Sequence, residues 1–411
     1  MQQENSLALQ EAPDHLRKGF VAIVMVLFSF TFFTGTMFAG AELGVAYHVS
    51  TLLWVVVIGN VLLALYAASL AWVAQRSGLN TVLMGRFCFG TLGSRLTDFI
   101  LGFAELGWYA WGVATIAHSL IEIFGLSALF TLPLMLLFGV LFCITALIGF
   151  KGLDILARLS LPVMLLVLLA AMGIATQHAG GWQGINAITP SRSMSVSDGI
   201  TIIFGSFASG ATQATNWLRL ARTRGVALSA SSISFLVGNG LMVLAGAWCA
   251  MIYHQADIVA VLMTQGLAFA AVLMLLLNLF AIQGPTLYNV SAAASHFFRT
   301  HKRRQMTIAS AAIGIILAVA GISDWLVPFL KLLGSIIPPI GGIVLVDYWL
   351  THGGRYPLLA DARLPAFNYP GLLPWRSLRL PVALAGTRGR NSGSCGDLYH
   401  RQSLAPVIVL A

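Results

Sequence analysis

Glu105 and Trp108 stand three residues apart in the run Phe103-Ala104-Glu105-Leu106-Gly107-Trp108-Tyr109-Ala110-Trp111, which puts both on one helix face. A carboxylate inside an apolar span costs about 2.5–3.5 kcal/mol on insertion scales, so it is expected to face the bundle interior and to have a function there. An aromatic plate beside a hydrogen-bond acceptor suits a flat heterocycle with N–H groups. A second set is Gly205-Ser206-Phe207-Ala208-Ser209-Gly210, in the stretch from Thr201 to Arg222. Hydroxyls are unfavourable in hydrocarbon without partners, and glycine costs a helix about 1 kcal/mol against alanine. This segment reads either as a broken helix lining a substrate site or as a small-residue packing face. A third set, Asn278 and Gln283, places two amides five residues apart before Gly284-Pro285, where a break in the helix is expected. These groups can hold and orient a polar ring. No nucleophile–base pair, HExxH or metal-ligand cluster accompanies them, which argues against an enzyme. No filter-like or charged-ring segment argues for a channel.

The elements that must position these groups follow from composition. Of 411 residues, 58% are hydrophobic and 9% charged, so this is an all-α polytopic membrane protein. Ten spans are expected at about 20–43, 51–74, 97–124, 128–149, 156–175, 199–217, 227–252, 265–287, 306–322 and 325–350. The net charge of +9 does not indicate nucleic acid, because the basic residues lie in short loops. Arg17 and Lys18, then Arg76, Arg86 and Arg95, Lys151 and Arg158, Arg219, Arg222 and Arg224, and Arg299 to Arg304 occupy alternate loops; the loops between carry only Arg192. This places the N-terminus in the cytoplasm. Residues 1–19 form a polar cytoplasmic lead without a cleavage signal, and 176–198 form a periplasmic loop. Cys88, Cys143, Cys249 and Cys395 have neither metal-ligand nor disulfide spacing.

Span two contains Gly59-Asn60-x-Leu62-x-x-Leu65, and span seven contains Gly238-Asn239-x-Leu241-x-x-Leu244, an offset of 179 residues or five spans. An odd number of spans per copy inverts the second copy. The domains are therefore two five-helix repeats, 20–175 and 199–350, with broken spans one and six. Span one is interrupted at Thr31-Phe32-Phe33-Thr34-Gly35-Thr36. Paired interruptions in inverted repeats point to a transport site near the membrane midplane. In span ten, Pro338-Pro339 is expected to break or kink the helix.

On these motifs, together with Arg86-Phe87-Cys88-Phe89-Gly90, Gly107-Trp108, Leu277-Asn278 and Asp347-Tyr348, the chain resembles the nucleobase–cation symporter family over about residues 15–370. The resemblance implies a five-plus-five inverted-repeat fold followed by two further helices. It implies uptake of a nucleobase, cytosine first, across a bacterial inner membrane by cation symport with alternating access. A purine or an aminopyrimidine vitamin precursor is the alternative substrate, and an inactive truncated form is a minor one. It implies no cofactor, no obligate protein partner and no nucleic acid; the surroundings are lipid. Trp108 and Phe207 correspond to two plates sandwiching the base, Ser206 and Ser209 to polar contacts, and Asn278, Gln283 and Glu105 to its remaining polar neighbours.

Two positions depart from the family. Glu105 stands where the family's cytosine transporters have glutamine. The family's sodium site uses span-one backbone, here near Phe33 and Thr34, and span-eight hydroxyls; Ala281 and Ile282 occupy the hydroxyl positions and cannot ligate a hard cation. The coupling ion is proton or sodium, with Glu105 favouring the proton. After Leu373 no 20-residue apolar run follows, so residues 351–411 read as a basic cytoplasmic tail, truncated or frameshifted, without the family's last two helices.

Overall fold

The computed structural model describes residues 9–367 apart from positions 149, 256, 360, 361 and 363. The expectation of a tail lacking two helices falls almost wholly on residues outside this set. The described chain is helical, with one isolated bridge between Lys18 and Ala221. Span one is two helices, α1 (Phe20–Thr31) and α2 (Gly35–Gly44), bent by 57° at the expected break. Span two is α3 (Val49–Ser77), and α4 (Thr81–Phe124) carries span three. Asn80 caps α4 by accepting from the Leu83 amide. Gly90 kinks it at φ 81°, and a Cβ there would meet the carbonyl oxygens of Pro365 and Ala366 at 2.7 Å, so only glycine fits.

There follow α5 (Thr131–Ile148), α6 (Phe150–His178), the short α7 (Gly181–Ala187), α8 (Val196–Gln213) and a single turn, α9 (Thr215–Leu218). Span seven is α10 (Arg224–Ile233) and α11 (Asn239–Tyr253), joined by a wider π turn at Ser234–Gly238. After α12 (Ile258–Thr264), spans eight to ten are α13 (Ala268–Phe297), α14 (Arg303–Val319) and α15 (Leu326–Val346). Seven helices among the described residues are long and apolar enough to cross a bilayer, or eight with α1 and α2 as one bent span. The other two of the ten expected spans are α8, diluted by serines, glycines and Gln213, and α14, which is 17 residues long and opens on Arg303-Arg304.

Three expectations about helix breaks are corrected. Helix α8 runs unbroken through Gly205–Gly210, and its discontinuity lies at Ala214. The reason is largely local: the Ser206 hydroxyl donates to the Ile203 carbonyl (2.7 Å) and Thr212 to that of Ala208 (2.8 Å), so the helix satisfies these two hydroxyls itself, and Ser209 finds its acceptor on α4. Helix α13 continues past Gly284-Pro285, and α15 continues through Pro338-Pro339, which removes the break there and leaves the alternative of a kink. Within a packed bundle, neighbouring helices stabilise a proline-containing helix that would break in isolation.

The polarity of the molecule is inverted relative to a water-soluble protein. Trp54, Leu129 and Phe269 are exposed, whereas Asn60, Asp98, Glu105, Gln213, Asn239, Asn278, Gln283 and Asn289 are buried. Helix α4 lies along α13, α2 against α11, and α3 against α8. Near one end of the α4–α13 contact, Arg299 donates to His296 Nε2 (2.7 Å), so His296 carries its proton on Nδ1 and donates it to Asp98 (2.5 Å).

Candidate functional site

One narrow pocket lies between α1, α4, α8, α13 and α15. Glu105 and Trp108 enter it from α4, Ser206, Phe207 and Ser209 from α8, and Phe33 from the span-one break. Six of the sequence-derived residues thus converge, though they span 177 positions of chain. Phe30, Gly210, Ile282, Thr286 and Leu333 complete the lining.

The aromatic walls are braced from behind. Trp108 meets Phe33 edge-on (centroids 5.2 Å apart) and Phe329 (5.7 Å). Phe207 meets Phe30 (5.2 Å) and Phe235 (5.8 Å), also edge-on. Such pairs fix ring orientation. The ring of Phe207 folds over Gly210, where a Cβ would come within 2.2 Å of it, so that glycine sets the position of the plate. No ring contact joins Trp108 to Phe207 among the described residues, although both face the same pocket.

Glu105 is buried at the polar end of this pocket. Its Oε1 accepts from the Ser209 hydroxyl (3.0 Å) and the Gln213 amide (3.1 Å), and its Oε2 from the Asn289 amide (3.4 Å). No ion pair among the described residues involves Glu105. A buried carboxylate without a cation is held only by hydrogen bonds. The Oε1 of Gln213, beside it, is buried without a partner. The row continues: Asn216 donates to Asn289 Oδ1 (2.9 Å), and Asn80 donates to Asn216 Oδ1 (2.7 Å). Three buried amides therefore link Glu105 to the N-terminus of α4.

Asn278 and Gln283, expected in the pocket, stand behind its wall. The Asn278 amide donates to the Phe32 carbonyl (2.6 Å), while its oxygen accepts from Thr34 N (3.2 Å) and the Thr34 hydroxyl (3.1 Å). It closes the backbone groups that the span-one break leaves open. Gln283 reaches the Trp108 carbonyl (3.4 Å) on α4. The Phe33 carbonyl accepts from Thr36 N (3.1 Å) and Thr36 Oγ1 (2.8 Å), and Ala281 and Ile282 are buried nearby in sequence with no oxygen to offer. Gln213 and Asn289 were not foreseen as site residues. Gln213 falls four residues after Ser209 on the same helix face, which is the one signal that pointed to it.

Comparison with known proteins shows the family and the fold. The family described as permease for cytosine/purines, uracil, thiamine, allantoin matches residues 13–378. The cytosine permease of Escherichia coli strain K12 is 29% identical over 373 residues, covering 91% of this chain and 88% of that protein. The fold is similar to that of Mhp1, a nucleobase-cation-symport-1 family transporter, closed with bromovinylhydantoin bound (TM-score 0.76, 17% identity, 85% of this chain and 82% of that one). It is also similar to inward-facing Mhp1 (TM-score 0.73, 18% identity, 85% and 80%) and to a Na+-coupled sialic acid symporter (TM-score 0.60, 12% identity, 85% and 84%). This chain is a multi-span membrane protein with a transporter fold, and it belongs to the family of permeases for cytosine and purines, uracil, thiamine and allantoin.

Proposed function

We propose that the protein imports a nucleobase, cytosine first, across a bacterial inner membrane with its N-terminus in the cytoplasm, by proton symport through Glu105. The observation that carries this reading is the buried carboxylate of Glu105, without an ion pair among the described residues, in a pocket walled by Trp108 and Phe207. In this reading a planar base stacks on the two rings, with its polar edge toward Glu105. Ionised, Glu105 only accepts hydrogen bonds; protonated, it donates one and accepts one. The protonated form pairs with an edge that offers both an acceptor nitrogen and an amino hydrogen, as cytosine does. The Ser209 hydroxyl can reverse to accept the carboxyl proton, as can Gln213 after its amide turns its free oxygen toward Glu105. Alternating access then carries base and proton together.

Sodium fits this chain poorly. At the span-one break, the Phe32 and Phe33 carbonyls already accept internal donors, and Ala281 and Ile282 add no oxygen. A hard cation needs several oxygen ligands at once. A purine or an aminopyrimidine remains the second reading, supported by the breadth of the family.

Uptake of labelled cytosine into proteoliposomes, with a competing panel of bases, tests the substrate. Accumulation in sodium-free medium that collapses with the proton gradient is the expected result. Strict sodium dependence, indifferent to that gradient, would refute the coupling.

A further inference from the structure

A second cavity lies away from the base site, at the end of the bundle where the chain's basic loops gather. It holds about 730 Å3 and is lined by Arg17 from the N-terminal segment, Arg76 at the end of α3, Arg224 at the start of α10, and Arg355 and Tyr348 after α15. Four guanidinium groups from four separate segments of chain meet there. Positive charge in the loops at this end follows from topology, but its convergence on one cavity does not. The geometry points to a binding site for the phosphate of an anionic phospholipid headgroup in the adjoining leaflet.

Charge balance supports this. No ion pair among the described residues involves Arg76, Arg224 or Arg355. Two carboxylates line the cavity, and both are engaged: Asp14 pairs with Arg17 (2.8 Å), and Glu11 accepts from the Leu359 amide (2.7 Å). A second, independent observation is the Tyr348 hydroxyl. It belongs to a fully buried side chain on the cavity wall and has no hydrogen-bond partner. A buried donor is rarely left unmade, and a phosphate oxygen beside the arginines would accept from it. Arginine forks match the paired oxygens of a phosphate.

A lipid suits the site better than a free phosphate. Trp349 and Leu350, next to Tyr348, are exposed, and Leu350 is 75% exposed on a helix that otherwise crosses the bilayer. Arg224 lies over the ring of Trp72 (5.2 Å), an aromatic of the kind that sits at headgroup level. An acyl chain can thus lie along this apolar edge while its phosphate enters the cavity. The inference needs only that this end of the bundle meets a bilayer surface, and it stands apart from the identity of the transported base.

The test is native mass spectrometry of the purified full chain with phosphatidylglycerol, phosphatidylcholine or inorganic phosphate. Phosphatidylglycerol is expected to be retained about tenfold better than phosphatidylcholine, and the triple variant R76Q/R224Q/R355Q to lose that preference. Tyr348→Phe, which removes one hydroxyl, is expected to weaken retention by about threefold to tenfold and decides the matter alone if the triple variant does not fold. Equal retention of the two lipids, or an unchanged preference in Tyr348→Phe, overturns the proposal. Displacement of phosphatidylglycerol by millimolar inorganic phosphate also overturns it, by assigning the cavity to a free anion.

Discussion

The Asn239 amide donates to the Asn60 side-chain oxygen at 2.8 Å, and the two residues are 179 positions apart, the offset between the two similar motifs of the sequence. Asn60 in turn donates to the Val56 carbonyl (2.8 Å). Such a contact is what the proposed inverted repeat predicts for matching residues near the axis that would relate its copies. Interhelical hydrogen bonds in membranes contribute about 0.6 kcal/mol on average and up to about 1.7 kcal/mol. A double-mutant cycle of Asn60→Ala and Asn239→Ala, read by thermal unfolding in detergent, is expected to give a coupling in that range. Strictly additive effects would show that the pair contributes nothing.

Trp108→Ala is expected to weaken base binding about tenfold or more, because stacking on a base is worth about 1–3 kcal/mol. Phe207→Ala should act similarly. Isothermal titration with correctly folded variants checks this; near-normal affinity in both would remove the two rings from the site.

Glu105→Gln keeps a donor and an acceptor at the same place and cannot ionise. It is expected to retain binding and to lose the pH dependence of affinity that proton coupling through Glu105 predicts for the parent protein. Binding curves across a pH series decide it, and a variant with the parent's full pH profile would assign that dependence elsewhere.

Asn278→Ala leaves the Phe32 carbonyl and the Thr34 amide at the span-one break without their partner. An unmade buried hydrogen bond costs about 1–3 kcal/mol. Lower thermal stability and slower uptake are expected together, with little change in which base is preferred. A change of base preference at unaltered stability would instead put Asn278 against the substrate.

Beyond α15, His352 Nδ1 donates to the Asp347 carboxylate at 3.3 Å, and that bond holds the imidazole above its ordinary titration range. The folded state therefore binds this proton more tightly than the unfolded one. The resulting stability is complete below the unfolded value, about 6.5, and disappears as pH rises through the folded one. His352→Gln should then lower the unfolding temperature more in acid than in mild alkali; an equal loss at both would exclude the charged pair.

The spans and the pocket's central residues were legible because their signals are local. A carboxylate within an apolar run, or two serines flanking a phenylalanine, stands out against hydrocarbon without any knowledge of neighbours. Asn289, Asn216 and Asn80 were not legible, since their roles arise from partners 73 to 184 positions away. The amides of Asn278 and Gln283 were visible, but the rotation of α13 decides whether they face the pocket or a neighbouring backbone. The break in span six was misplaced because serine hydroxyls can bond back to their own helix, a choice composition does not reveal.

The row from Asn80 through Asn216 and Asn289 to Glu105 has a direction, since each amide hands its hydrogen to the next oxygen toward the carboxylate. A proton arriving on Glu105 Oε2 would remove the acceptor at the head of this queue. Asn289 would then have to turn, and its turning would withdraw the oxygen that Asn216 uses. The message would pass hand to hand as far as the cap of α4. An empty and a loaded binding site would thus differ at a helix end that no substrate touches.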